Sequence, residues 1–251
     1  ENFTAAAPDG YKWVAGEDGT TSTLKKMASV AKIGTTEFES LADAITAAQA
    51  GDTVTLLADI TDFGGVMITK NLTVDFGTYT ITGAKNAVVF NVVNADVTLN
   101  GKTGGIDGGS GGNNVAVCAN TGSNVIINGG SYTVGGDANG IGNSTIYAVD
   151  TGKVTINGGT FSSLAAYNNK YYVLNIQNGN AATITVNGGS FQKFDPFQGD
   201  DNDGGNFCAA GVGVDYDTET STFTAKSNMV AQVLDENGQS VKAFATIKEA
   251  I

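Results

Sequence analysis

The sequence predicts an all-β chain: a right-handed parallel β-helix solenoid of about six coils, with an N-terminal capping α-helix and a C-terminal β-hairpin. Three observations predict it. Val125-Ile126-Ile127-Asn128-Gly129-Gly130 recurs as Val154–Gly159 and as Ile184–Gly189, at steps of 29 and 30 residues. Each period holds about three short, β-branched strands rather than one. An amphipathic helical pattern precedes the first of these strands, and a hairpin pattern follows the last.

Relaxed copies of the repeat lie upstream at Val97–Gly101, Leu72–Asp75 and Val54–Leu56, at steps of 28, 25 and 18 residues. Between copies fall two further strand families. One contains Val66–Ile68, Val88–Phe90, Val115–Val117, Ile146–Ala148 and Val173–Ile176; the other contains Tyr79–Ile81, Ser131–Val134, Thr160–Phe161 and Ser190–Phe191. Asn-Gly invites hairpins. Three unequal strands per period suit a coil better, each strand pairing in parallel with its counterpart about 4.8 Å away. Like residues then stack, apolar inside, with Asn100, Asn128, Asn157 and Asn187 at one corner. Their amides are expected to satisfy turn backbone groups and their backbones to tolerate the left-handed conformation. Gly129, Gly158 and Gly188 complete the corner, with positive φ expected at Gly158 and Gly188. The lengthening coils put their excess into the loops 101–114 and 135–144, where binding usually resides on a solenoid.

Open sheet edges need cover. A capping helix over 40–50 is expected to supply it, with Ser40 and Asp43 as a capping box. Leu41, Ala44, Ile45 and Ala48 share one face, and Gly51-Asp52 stops the helix. A terminal hairpin is expected over 212–226. Phe244–Ile251 repeats Phe38–Ile45 at an offset of 206, Val230–Val233 repeats Val30–Ile33 at 200, and Asn206–Ala210 repeats Asn2–Ala6 at 204. The expected organisation is therefore the end of one unit over 1–33, a whole unit over 34–229, and the start of another over 230–251. That predicts a window of a tandem array, or a filament subunit completed by its neighbours.

Composition narrows the function classes. The chain has 35 Gly and 2 Pro in 251 residues, about twice the usual glycine share without the proline of collagen. Hydrophobic residues are 41%, enough for a core and against intrinsic disorder. All 13 basic residues are Lys, and His is absent. No imidazole is present for base or zinc chemistry, and no guanidinium for a bidentate anion clamp. A net charge of −12 disfavours nucleic acid and anionic membranes. No apolar run is long enough to span a bilayer. Cys118 and Cys208 read as buried free thiols rather than a disulfide framework.

The runs Ala31–Ile45 and Ala50–Ile60, with Lys70–Asp75, Ile156–Phe161 and Gly188–Pro196, resemble the β-helix repeats of large bacterial cell-surface proteins, especially of gut Firmicutes, and of some phage virion proteins. The resemblance implies a pectin-lyase-like fold, an exported location and stalk or adhesin duty. The same fold hosts polysaccharide lyases and glycosidases, so fold does not decide activity. The lyases typically use calcium with an arginine, and the polygalacturonase type clustered aspartates with a histidine. Neither arginine nor histidine exists here. Asp75, Asp96, Asp107, Asp137 and Asp150 do not share a ladder position, and Lys153 and Lys170 lack an acidic cluster. No catalytic residue is assigned.

Two clusters carry binding expectations. Asp195, Asp200, Asp201 and Asp203 place four carboxylates within nine residues, a calcium site or a solvated loop. Tyr171 and Tyr172 form a glycan platform or packing. The expected function is a structural or adhesive extracellular repeat of a stiff stalk or fibre, on a bacterial or virion surface. Its expected partners are neighbouring repeats or subunits and a host glycan or surface protein. A glycan-binding or glycan-cleaving module and a phage fibre component are the alternatives.

Overall fold

The computed structural model describes residues 7–8, 11–16, 20–26, 28–136, 143–166, 170–199 and 205–251. β1 (Tyr11–Ala15) and β2 (Ser22–Lys26) pair antiparallel with each other. β3 (Ala31–Ile33) and β4 (Thr36–Phe38) form a second hairpin. Helix α1 (Leu41–Ala47) follows, its N-terminus capped by Ser40 Oγ, which accepts from the Asp43 N–H at 3.3 Å. The helix stops short of the expected residue 50. Ala48 is already extended, and the Gln49 N–H turns to Asp52 Oδ2 at 2.7 Å. Lys70 Nζ donates to the carbonyls of Thr46 (2.6 Å) and Ala48 (2.9 Å). A cation on the last carbonyls satisfies them without a further turn.

The solenoid then winds rung by rung. The first rung is β5 (Thr53–Leu56), β6 (Ile60–Phe63) and β7 (Val66–Ile68). The second is β8 (Leu72–Gly77), β9 (Thr80–Gly83) and β10 (Val88–Val92). The third is β11 (Asp96–Gly101), β12 (Gly105–Asp107) and β13 (Val115–Ala119). The fourth is β14 (Asn124–Ile127), β15 (Ser131–Val134) and β16 (Ser144–Ala148). The fifth is β17 (Lys153–Ile156), β18 (Thr160–Ser163) and β19 (Leu174–Ile176). The last holds β20 (Thr183–Val186) and β21 (Gly189–Gln192). The first five rungs pair in parallel with one another on three faces, and the last pairs with the fifth on two. The chain is a β-solenoid of about four turns, slightly fewer than the six coils expected. The first rung is irregular, with a register shift between Ile60 and Phe63, and the last lacks a third strand. Both carry the repeat on their first strand, so the sequence counts them as full coils.

Parallel pairing stacks like on like. On the first face Val54, Val74, Leu99, Ile127, Ile156 and Val186 form one buried inward row. On the second face Ile81, Ile106, Tyr132, Phe161 and Phe191 form another. The rings of Tyr132 and Phe161 lie 5.3 Å apart at 8°, and those of Phe161 and Phe191 lie 5.1 Å apart at 14°. Such pairs contribute about 0.5–1.5 kcal/mol beyond burial. The Tyr132 hydroxyl donates to the Gly129 carbonyl at 3.1 Å, so its burial strands no polar group, and that burial raises its pKa.

Each end carries a cap that pairs with part of the open edge. β3 pairs antiparallel with β5 and covers the leading edge of the first face. At the other end residues 206–209 bridge to Val186. β22 (Gly213–Asp217) and β23 (Thr222–Lys226) form the terminal hairpin, and β23 pairs antiparallel with β21. Phe223 sits opposite Phe191 and extends the aromatic row. β24 (Ala231–Leu234), β25 (Ser240–Phe244) and α2 (Ile247–Ala250) follow.

Truncating the centre of the aromatic row, Phe161→Ala, should cost about 3–5 kcal/mol. The outward Thr155→Ser should cost within about 0.5 kcal/mol. Denaturant unfolding of the two variants beside the parent checks the contrast.

Candidate functional site

The corner between the first and second faces carries the asparagines. Asn128 Nδ2 donates to Asn100 Oδ1, Asn157 Nδ2 to Asn128 Oδ1, and Asn187 Nδ2 to Asn157 Oδ1, each at 2.9 Å. The chain of amides runs side chain to side chain, not to the turn backbone as expected. The four asparagines are not left-handed either. Among the described residues the left-handed asparagines are Asn86, Asn94 and Asn228. Asp75 pairs with Asn100 in register, but its Oδ1 accepts from the Gly77 N–H at 2.9 Å. A carboxylate has no N–H to pass along the ladder.

The glycines also differ from expectation. Positive φ falls on the second glycine of each pair, Gly130, Gly159 and Gly189, at 102°, 114° and 114°. Gly129, Gly158 and Gly188 are needed for a different reason. A Cβ there would lie 2.6 Å from the Gly101 oxygen, 3.3 Å from the Asn128 oxygen and 2.9 Å from the Asn157 oxygen. Close stacking of successive corners, rather than turn geometry, excludes a side chain at Gly129 and Gly188 and crowds one at Gly158.

Beside this corner runs an open groove of about 500 Å³, lined by glycines with Lys102, Thr103, Asn128, Ser131 and Thr160. Its lining offers hydroxyl, amide and one ammonium group and no carboxylate. It can hydrogen-bond a neutral polar ligand; it does not set two acids across a scissile bond. Acids elsewhere bond to turns, Asp107 within its own loop and Asp150 to the turn of the rung before. Asp107 Oδ1 accepts from the Gly109 N–H at 3.1 Å, and Asp150 Oδ2 accepts from the Thr121 hydroxyl at 2.8 Å. Asp137 lies outside the described residues.

The two binding clusters are described only in part. Asp195 is buried, with Oδ1 accepting from the Phe197 N–H at 3.0 Å and Oδ2 from the Ser240 N–H at 2.7 Å. It ties the last rung to β25. Asp200, Asp201 and Asp203 lie outside the described residues. Among the described residues, no three His, Cys, Asp or Glu side chains gather as a metal group. Tyr171 packs against the core, and Lys193 Nζ lies 5.0 Å from the centre of its ring. One face of that ring therefore already carries a cation. Tyr172 is half-buried beside it. Cys118 is buried and Cys208 half-buried, and neither is in a disulfide. Burial, then Asp150, pushes the Cys118 thiol up to about 11; burial, then Asp195, pushes Cys208 up to about 12.

A polar joint that sequence reasoning missed sits at the C-terminal end. Asp215 on β22 accepts from Lys226 Nζ, from Lys242 Nζ at 2.8 Å and from the Ala243 N–H at 2.8 Å. Burial raises its pKa, but these bonds outweigh burial and hold the carboxyl at about 2. The Gln232 side chain pairs with the Val214 backbone, Oε1 accepting its N–H at 2.6 Å and Nε2 donating to its carbonyl at 2.9 Å. With Asp195 and Ser240, these bonds fasten β24 and β25 to the terminal hairpin. The signal was present only as isolated polar residues in a region read as repeat and hairpin.

No protein-family model, curated protein or solved structure matches the chain. No helix among the described residues is long and apolar enough to cross a membrane.

Three outcomes are expected. Asn157→Asp removes a donor and sets a carboxylate against the Asn128 oxygen. It should lower stability by about 1–3 kcal/mol, more than Asn157→Ala, in denaturant unfolding at pH 7. Asp215 is held below its usual 3.8, so its stabilisation is complete above that value and lost as pH falls through about 2. Acid titration of hydrogen exchange at 231–244 should show the joint opening in that window, and Asp215→Asn should remove the transition. Both thiols should react slowly with a disulfide reagent at pH 8 in the native chain and rapidly once unfolded.

Proposed function

We propose that the chain is a structural, extracellular repeat unit, a segment of a stiff stalk or fibre on a bacterial surface. Neighbouring repeats or subunits of the same kind are its partners. The observation that carries this reading is the in-register stacking on three faces, continued at its far end by a bonded joint rather than a slack linker. Backbone ladders join the rungs, reinforced by an amide chain from the third rung onward and by stacked rings from the fourth, so bending requires many contacts to break together. The resemblance to pectin-lyase-like repeats of bacterial surface proteins supports the same reading, as does a groove without a carboxylate pair.

A second reading, glycan binding, has one observation in its favour: the open groove of about 500 Å³ lined by hydroxyl and amide groups. One experiment addresses both. The purified chain is incubated with a panel of neutral and acidic polysaccharides, with binding and release of reducing or unsaturated ends measured. The structural reading expects no product, and cleavage overturns it. Binding abolished by Ser131→Trp in the groove, without product, would assign an adhesive role. Antibody raised to the folded chain should label intact producing cells; labelling only after lysis overturns the surface location.

A further inference from the structure

The first cap of the solenoid is built twice. β3 and β4 pair with Ala31 opposite Phe38; β24 and β25 pair with Ala231 opposite Phe244. The Val30 N–H donates to the Phe38 carbonyl at 2.8 Å, and the Val230 N–H to the Phe244 carbonyl at 2.9 Å. Ser40 caps α1 through the Asp43 N–H, and Thr246 caps α2 through the Glu249 N–H, with the Glu249 side chain closing a capping box. The duplication thus extends from sequence to register to cap geometry.

What differs is the cover. In the first copy β3 lies on β5, with Ala31 opposite Leu56, Lys32 opposite Thr55 and Ile33 opposite Val54. The Val30 carbonyl accepts from the Leu57 N–H at 2.9 Å, and Leu41 of α1 is 1% exposed. In the second copy β24 pairs with β25 alone among the described strands. Ile247, in the place of Leu41, is 64% exposed, and Val230, in the place of Val30, is 62% exposed. An apolar cap face of this kind, with a bare strand edge beside it, is costly to leave open. The joint through Asp195, Asp215 and Gln232 holds this face in one orientation.

We propose that β24, β25 and α2 form a docking template for the first rung of a second unit of this same sequence type. The occupant is identified by the interface already built at the other end of the molecule: a strand equivalent to β5 on the free edge of β24, with Ala231, Gln232 and Val233 opposite its Leu56, Thr55 and Val54. Ile247 would then be buried as Leu41 is. This rests on the reading of the chain as a structural repeat and names the surface through which one unit seats the next.

The test extends the whole chain. Residues 46–251 of a second copy are joined directly after Ile251, which occupies the place of Ile45. Hydrogen exchange at 231–234 is compared in the single and extended chains. Docking should slow it about tenfold or more, with the second unit folded by circular dichroism. Ile247→Asp should restore fast exchange in the extended chain and leave the unfolding temperature of the single chain unchanged. Unchanged exchange at 231–234 beside a folded second unit overturns the proposal. So does a second unit that fails to fold on this cap, or an Ile247→Asp variant that destabilises both chains equally. Polysaccharide cleavage by the single chain would overturn the structural reading and leave the exchange result intact, so the two failures are separable.

Discussion

Parallel stacking at the strand spacing of about 4.8 Å places each residue on its own counterpart from the rung before. The rest of the structure depends on that constraint. A position in the repeat must tolerate contact with a copy of itself on both sides. Branched aliphatics and flat rings do so inside, as in the Leu99, Ile127, Ile156 row and the Tyr132, Phe161, Phe191 row. Asparagine does so at the corner, because one side chain carries both a donor and an acceptor. Aspartate does not, and Asp75 turns away from the ladder to the Gly77 N–H at the end of its own strand.

The same constraint creates the problem at the ends. A stacked sheet always exposes a first and a last edge, and both invite further pairing. This chain closes its leading edge with a hairpin and a helix, and its trailing edge with the segment 206–209 and a second hairpin. Beyond the trailing edge it builds the leading cap again, fixed by buried and half-buried polar contacts. A slack connection would not need an aspartate holding two lysines and a backbone amide. The joint is an orienting device, and its acid lability follows from the carboxyl that forms it.

Much of the fold was legible because repetition multiplies a weak signal. One Val-Ile-Ile-Asn-Gly-Gly segment is ambiguous between hairpin and coil, whereas three at near-equal steps specify parallel pairing. The helix start was legible from Ser40 and its apolar stripe. Its end was not, since Lys70, far along the chain, supplies the cap. Gly129, Gly158 and Gly188 were legible as corner residues, but their reason was not. Positive φ belongs to the glycine after each, and the closeness of a carbonyl from the rung before is a contact between coils. Asp195 read as one of a cluster of acids. Its burial between Phe197 and Ser240 depends on how the terminal segments return to the last rung.

The sequence by itself determined the repeat, the residue types that face inward and outward, the asparagine corner and the duplication of the cap. These depend on periodicity, which is a property of the chain in one dimension. Tertiary structure alone decided which glycine turns, where the amides point and how the two halves of the C-terminal joint meet. Those outcomes depend on which distant segment arrives at each residue, and periodicity along the chain does not specify that.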